Sequence, residues 1–324
     1  MNRRHFLAAT LPAALALRAL PARAQTGLDG HGAIRLEVGA PPGGGTDTVA
    51  RAMAMGMAPA IKRNIVVENR PGAGGNIAAS TVAQAAGDAS ILLLAYTSHS
   101  INASIQDNLP FDPLKSFTPV SLVATCPLIL VCNPALPVSN TAELIDYARR
   151  NPGKLSMAGA GLGSASQMSG EMLKAQAKLD IISVPYKGAA PAIQDILGGQ
   201  VQMMLSDVAA VRPFIQSGKL KALGVSVPEP IAAFPQLAPI DKVLPGFDYR
   251  IWYGLLGPAG LDPAQAATLE QAAQAAVKTD AVSKHLVMEG LDPVGSTSVA
   301  FTDFIRKELA RWKTVAQVTG VHLS

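Results

Sequence analysis

Three glycine-rich loops carry the chemistry most visible in this chain. They are Pro41-Pro42-Gly43-Gly44-Gly45, Pro71-Gly72-Ala73-Gly74-Gly75 and Gly159-Ala160-Gly161-Leu162-Gly163, and each stands just before a stretch with helical periodicity. A helix start presents unpaired backbone N–H groups and the positive end of the helix dipole. Glycine lets a ligand approach that backbone closely, so such a loop can hold an anion without any arginine. One loop of this kind more often serves turn geometry alone. Three of them, joined by the hydroxyl-bearing runs Tyr96-Thr97-Ser98-His99-Ser100 and Ser164-Ala165-Ser166-Gln167, point to a small polar or anionic ligand.

Other chemistries lack their residues. There is no Walker loop ending in Gly-Lys-Ser/Thr and no Gly-x-Ser-x-Gly nucleophile elbow. His31, His99, His285 and His322 are scattered, without metal-ligand spacing. Gly159–Ser164 nearly matches a dinucleotide fingerprint, but its last glycine falls one place early and the acid, Asp180, precedes its strand instead of closing it. No metal or cofactor is expected. Cys126 and Cys132 lie in one extended apolar run, where about 3.3 Å per residue would separate them by roughly 20 Å. They read as two free, buried thiols.

Composition narrows the class. The chain has 324 residues, 49% apolar and only 15% charged, which excludes disorder and is long enough for about two domains. The formal charge of +4 belongs to the first segment. Residues 1–24 hold Arg3, Arg4, Arg18 and Arg23 and no acid, and the remainder has 23 basic and 23 acidic residues. Nucleic acid is therefore not an expected partner. The segment reads as a secretory signal peptide: a charged start, an apolar run from Phe6 to Leu20, and Ala22-Arg23-Ala24 before a cut at Gln25. Asn2-Arg3-Arg4-His5-Phe6-Leu7 also fits a twin-arginine signal. Pro12 and Arg18 interrupt the run, which falls short of the roughly 20 residues of a membrane span.

The loops must be positioned by the elements around them, and these alternate. Strands are expected at 34–38, 65–68, 91–95, 155–158, 181–184, 201–205 and 220–225. Helices are expected after Thr46 or Asp47 (as cap), at 76–86, from the capping box Asn140-Thr141-Ala142-Glu143 to Arg150, at 164–179 and up to Leu197. Val120–Val131 is a long apolar run suited to connecting two domains, and Tyr249–Leu256 could lead back to the first. Two helices, roughly 263–279 and 298–318, close the chain, the last with Phe301, Phe304, Ile305, Leu309 and Trp312 on one stripe. Repeated strand–loop–helix units imply an α/β fold with parallel sheets whose ligands bind beyond the carboxyl ends of the strands.

At these loops the chain resembles a known family. Pro41–Asp47, Val67-Glu68-Asn69-Arg70-Pro71-Gly72-Ala73-Gly74-Gly75-Asn76 and Val184-Pro185-Tyr186-Lys187-Gly188 are similar to motifs of the tripartite tricarboxylate transporter solute receptors, the Bug-type periplasmic binding proteins. Pro119–Val123, Leu197–Val201 and Gly218–Leu223 add to the ordered set. The resemblance implies a type II-like, two-lobed periplasmic binding protein fold with the ligand cleft between the lobes. Lobe 1 would take residues 25–126 and 251–324, and lobe 2 residues 127–250. It implies a periplasmic monomer that captures a small carboxylate and delivers it to the membrane permease subunits of a tripartite transporter. Sensing of the same ligand by a membrane kinase, or a secreted enzyme, are the rival readings.

By the same resemblance, Pro42, Gly43, Gly44 and Thr46 would receive a ligand carboxylate. Tyr96, Ser98, His99, Ala160, Gly163, Ser164, Ser166, Gln167, Tyr186, Lys187, Ser206 and Asp207 would complete the pocket. Arg70 is expected to brace its loop instead. Four positions depart from what many family members carry: Ala40 replaces an aromatic residue, Gln167 a histidine, and Ser206-Asp207 an Asp-Asn pair.

Overall fold

The computed structural model describes Leu28 and residues 32–322. The expected signal segment and its cleavage point lie outside the described residues. β1 (Ile34–Val38), β2 (Ile65–Asn69) and β3 (Ile91–Tyr96) run parallel, with β1 in the middle. α1 (Gly45–Ile61) and α2 (Asn76–Ala83) make the crossovers. Val49, Met53 and Met57, spaced four apart, are buried on one face of α1. α3 (Ser98–Ile105) follows β3 after one residue, so the hydroxyl-rich run is divided between the end of β3 (Tyr96), the cap Thr97 and the first turn of α3.

One strand carries the chain between the two halves. β4 (Phe117–Cys132) is sixteen residues long and wholly buried over its last thirteen positions. Up to Pro127 it pairs with β9 (Arg250–Pro258); from Leu128 it pairs with β7 (Met203–Asp207), and from Ile129 also with β8 (Lys221–Val225). Beyond β7 lie β5 (Ser156–Gly159) and β6 (Ile182–Pro185), parallel to one another. The strand order β2-β1-β3-β9-β4-β7-β5-β6 forms one continuous, curled sheet. The two parallel ends, each covered by its helices, make two lobes.

α4 (Thr141–Arg150) starts as its capping box predicts, with the Asn140 side chain accepting from Glu143 N. α5 (Ala165–Ala177) and α6 (Ala189–Leu197) match their expected positions. α7 (Val208–Gln216) had no expected counterpart. It is short, and Pro213 sits inside it, which dulls the helical signal. At the C-terminus there are three helices instead of the expected two: α8 (Pro263–Lys278), α9 (Asp280–Met288) and α10 (Ser298–Thr319). α9 is separated from α8 only by Thr279, whose hydroxyl accepts from Val282 N and caps it. Its two-residue neighbour β10 (Asp292–Pro293) pairs with β4. Among the described residues no helix is long and apolar enough to cross a membrane.

The last helix spans the junction. Phe301 and Ile305 pack in the first lobe with Leu93, Leu122 and Trp252. Trp312, Val315 and Ala316 pack in the second with Leu130, Leu144, Leu173 and Tyr249. Between the two groups lies Glu308, 2% exposed. Its carboxylate accepts from Trp312 Nε1 (3.1 Å) and pairs with Arg311 (2.9 Å), with the Trp252 indole beside it. Burial pushes this carboxyl up from its ordinary value, against the pull of Arg311.

Cys126 and Cys132 are free and buried, both in β4. Burial raises their thiols to about 12 and about 11, so neither is a thiolate at neutral pH.

Candidate functional site

The first loop is held open by an internal carboxylate. The cap of α1 is Gly44, with no side-chain bond, and not the expected Thr46 or Asp47. Asp47 sits in the first turn and reaches back. Its Oδ2 accepts from Gly43 N (2.9 Å) and Arg51 Nε (2.9 Å), and its Oδ1 from Asn69 Nδ2 (3.0 Å). Asn69 also donates to Ala40 O (3.0 Å), tying both ends of the loop to β2. The hydrogen bond from Arg51, then those from Gly43 and Asn69, outweigh burial and hold the Asp47 carboxyl below its usual range. The Gly43 N–H expected to meet a ligand is therefore already taken. Pro42, Gly43, Gly44 and Gly45 remain exposed, which leaves the amides from Gly44 to Thr46 as the free donors.

The second glycine loop supports the first. A Cβ on Gly39 would lie 2.4 Å from Gly75 Cα, so the two backbones touch where β1 ends. Asn102 Nδ2 donates to Gly74 O (3.1 Å) and Asn76 Oδ1 (2.9 Å), locking the loop to α3. Arg70 braces it as expected, binding Glu37 Oε2 (2.8 Å) and Glu68 Oε2 (3.0 Å). Tyr96 closes this side, donating from Oη to Gly39 O (3.3 Å). Burial pushes its phenol to about 12, with the Ser98 side chain facing it.

His99 does not join them. Its ring stacks on Phe111 (5.9 Å) and meets Phe117 edge-on (5.1 Å), and Nε2 lies 2.8 Å from Pro113 O. Burial lowers its pKa, so it is a neutral core histidine on the inward face of α3.

In the second lobe the third glycine loop closes on itself. Ser164 caps α5, accepting from Gln167 N (3.2 Å), and Gln167 Oε1 accepts from Gly163 N (2.8 Å). Tyr186 N donates to Gly159 O (2.9 Å), and Tyr186 O faces Gly161. This brings Ala160, Gly163, Ser164, Gln167 and Tyr186 together. Leu162 projects from the loop, 64% exposed. The Tyr186 hydroxyl is engaged by Asp195 Oδ2 (2.7 Å), and Lys187 is exposed.

Ser166 is placed differently from the expectation. It is buried and donates to Leu205 O, fixing α5 to β7. Ser166→Ala should therefore cost about 0.5–1.5 kcal/mol of stability in chemical denaturation and leave ligand affinity within about twofold. Ser164→Ala removes a helix cap, about 0.5–2 kcal/mol, and should also weaken binding if its loop contacts the ligand.

The two sides meet at Tyr253, which sequence reasoning passes over as one apolar strand residue. It is 9% exposed on β9, opposite Tyr96 in the sheet register. Its hydroxyl lies against Gly45, 3.4 Å from an ideal Cβ there, and faces the Thr46 side chain. Asp207, Cys126 and Tyr96 act on it electrostatically, and burial above all raises its phenol far above its ordinary value. Asp207 ends β7 and caps α7, accepting from Ala210 N with Oδ1 (2.8 Å); Ser206 beside it is buried. Thr46 and Tyr96 of the first lobe thus gather at Tyr253, with Ser98 facing Tyr96, and Asp207 of the second lobe acts on the phenol electrostatically. An aromatic at an alternate position of the return strand, flanked by Gly254, is the signal that could have found Tyr253.

Comparison with known proteins bears on the family and the fold. The model of the tripartite tricarboxylate transporter family receptor matches residues 49–321. The chain belongs to that family. It is 33% identical over 293 residues to Protein BugT of Bordetella pertussis, covering 90% of both chains. Among solved structures it superposes on the periplasmic binding protein BugD with a TM-score of 0.77 at 31% identity, covering 90% of this chain and 99% of that one. An R. palustris protein solved with adipate gives 0.79 at 30% identity, covering 90% and 98%. MatC from Rhodopseudomonas palustris with bound malate gives 0.75 at 31%, covering 87% and 98%. The family member described here therefore has the two-lobed periplasmic binding protein fold expected from its motifs.

Proposed function

We propose that this protein is an exported solute receptor that closes its lobes, 25–126 with 251–324 and 127–250, on a small carboxylate. As a monomer it would deliver that ligand to the membrane permease subunits of a tripartite transporter. The observation that carries this reading is the exposed start of α1. Its glycines leave amide donors open to solvent, its own acid is internally neutralised, and the loop faces Tyr253 at the junction of the lobes. Relatives of similar fold were solved with adipate and malate, both carboxylates. The signal-like residues 1–24 fit delivery to the periplasm, with cleavage before Gln25.

Gly44→Val tests the loop. Gly44 has an extended φ of −90°, and an added Cβ would meet only Pro41 O at 3.8 Å. Folding should therefore be almost untouched, while the side chain covers the amides. Calorimetry with organic acids on ligand-stripped protein should show affinity at least tenfold lower, with the melting temperature nearly unchanged. Equal affinity in variant and parent would remove the α1 start from the site.

A further inference from the structure

The chain crosses from the second lobe to the first on a short segment whose two ends are tied to opposite sides. Tyr249 packs in the second lobe; its N donates to Ser226 O (2.8 Å) and its O accepts from Ser226 Oγ (2.6 Å). Three residues on, Trp252 packs in the first lobe, its N donating to Thr97 Oγ1 (2.9 Å). Phe304, Glu308 and Trp312 follow one another at successive turns on one face of α10. Phe304 meets Trp252 edge-on (5.8 Å between ring centroids), and Trp312 meets Tyr249 edge-on (5.1 Å). Helix spacing therefore sets Glu308 over the crossing, between its two tied ends.

Hydrogen bonding at this point is incomplete. The Glu308 carboxylate accepts from Trp312 Nε1 on the second-lobe side (3.1 Å) and pairs with Arg311 (2.9 Å). Tyr249 Oη and Trp252 Nε1 are buried donors with no hydrogen-bond partner. A buried donor left unpaired is costly, and a carboxylate can accept from several at once. The charged and titratable groups facing Glu308 are Arg311 on its own helix and, on the crossing, Tyr249 and Asp248, the latter 3.5 Å from Arg250. Burial keeps the Tyr249 phenol neutral at pH 7. The cleft is open in this arrangement: Pro42–Gly45 of one lobe and Leu162 of the other stand in solvent.

We infer that Glu308 is the latch of the hinge: when the lobes close, its carboxylate takes up the two unpaired donors, Trp252 Nε1 and Tyr249 Oη, and ties the first lobe to the second. This inference rests on the receptor reading above for the closing motion. The closed form gains hydrogen bonds that the open form lacks. The carboxylate therefore raises the share of closed molecules, and with it the apparent affinity for any ligand that closes the lobes. Charge matters, because a protonated carboxyl spends one oxygen as a donor. Burial raises this carboxyl against the pull of Arg311, so acid neutralises it earlier than an exposed glutamate and loosens the latch.

The test uses succinate, adipate and benzoate in calorimetry on ligand-stripped protein, from about pH 8 to about pH 5. At neutral pH, Glu308→Gln should bind whichever acid the parent binds roughly fivefold or more weakly. That gap should narrow toward acid, as the parent carboxyl takes up its proton. Tyr249→Phe removes an unpaired hydroxyl from the open form, so the melting temperature without ligand should not fall, while affinity drops roughly threefold or more. In the parent, one of the two indole N–H proton resonances should move downfield as the acid is added. Parent-like affinity in either variant, a Glu308→Gln loss that is the same at every pH, or indole resonances that stay in place as the acid binds would overturn the latch and leave the receptor reading standing. If none of the three acids binds the parent, the receptor reading falls and the latch with it.

Discussion

Gly39→Ala is expected to lower the melting temperature by roughly 6–12 °C, on an overpacking cost of about 3 kcal/mol. The added methyl would sit 2.4 Å from Gly75 Cα and 2.9 Å from Gly75 O. Backbone cannot swing aside as a flexible side chain can, so either β1 or the second glycine loop must shift. Gly75 has nowhere to go, since Tyr96 lies against its other side. The same contact sets the start of the Ala40–Gly44 loop, so ligand affinity should fall together with stability. A variant that melts with the parent would show that the two loops do not touch in solution.

Asp47→Ala should be the next most damaging change. It removes the acceptor for Gly43 N and Asn69 Nδ2 in one step, and leaves donors without partners at the foot of the loop. The expected loss is about 1–3 kcal/mol in chemical denaturation, with Arg51, exposed at its outer end, adding little. Affinity for the carboxylate should drop at least tenfold, because the free amides no longer stand in one arrangement. The sign with pH is fixed by the lowered pKa. An acid whose folded value lies below its ordinary 3.8 stabilises the fold above that value and loses the contribution as pH falls through the folded one. The gap in stability between parent and variant should therefore narrow in acid, from about pH 4 downward. A gap that stays constant to the acid limit would mean that Asp47 acts by shape and not by charge.

Much of this architecture was legible in the residues themselves. Ile91–Tyr96 announces itself because both faces of a parallel sheet are covered, so its apolar run is unbroken, while Ile34–Val38 shows as alternation, with Arg35 and Glu37 between its apolar residues. The capping box at Asn140 and the stripe on α1 are local signals and survive folding intact. α3, α7 and α9 were harder to read. Each is eight or nine residues long, and α3 begins in serine and histidine, residues that look like a loop until tertiary packing orders them. The site divides in the same way. The glycine loops could be found from spacing, but which amides stay free depends on where Asp47 reaches, and a sequence holds no such distance. His99 and Ser166 carry polar groups that suit a pocket, yet both are spent on carbonyls inside their own lobes. Tyr253 is not visible in the sequence because its place comes from register: β9 sets it opposite Tyr96 on one side and Ala124 of β4 on the other.

The chain has two tryptophans, and both lie at the crossing between the lobes. Trp252 packs with Phe301 in the first lobe, Trp312 against Tyr249 in the second, and Glu308 lies next to both indoles. No third tryptophan dilutes their signal when the excitation avoids the five tyrosines. Any rotation of one lobe on the other must change the surroundings of at least one indole, and the carboxyl that quenches or shifts its emission. The crossing therefore carries its own optical gauge, and the proposed closure of the lobes can be followed in the native protein, free of dyes and labels.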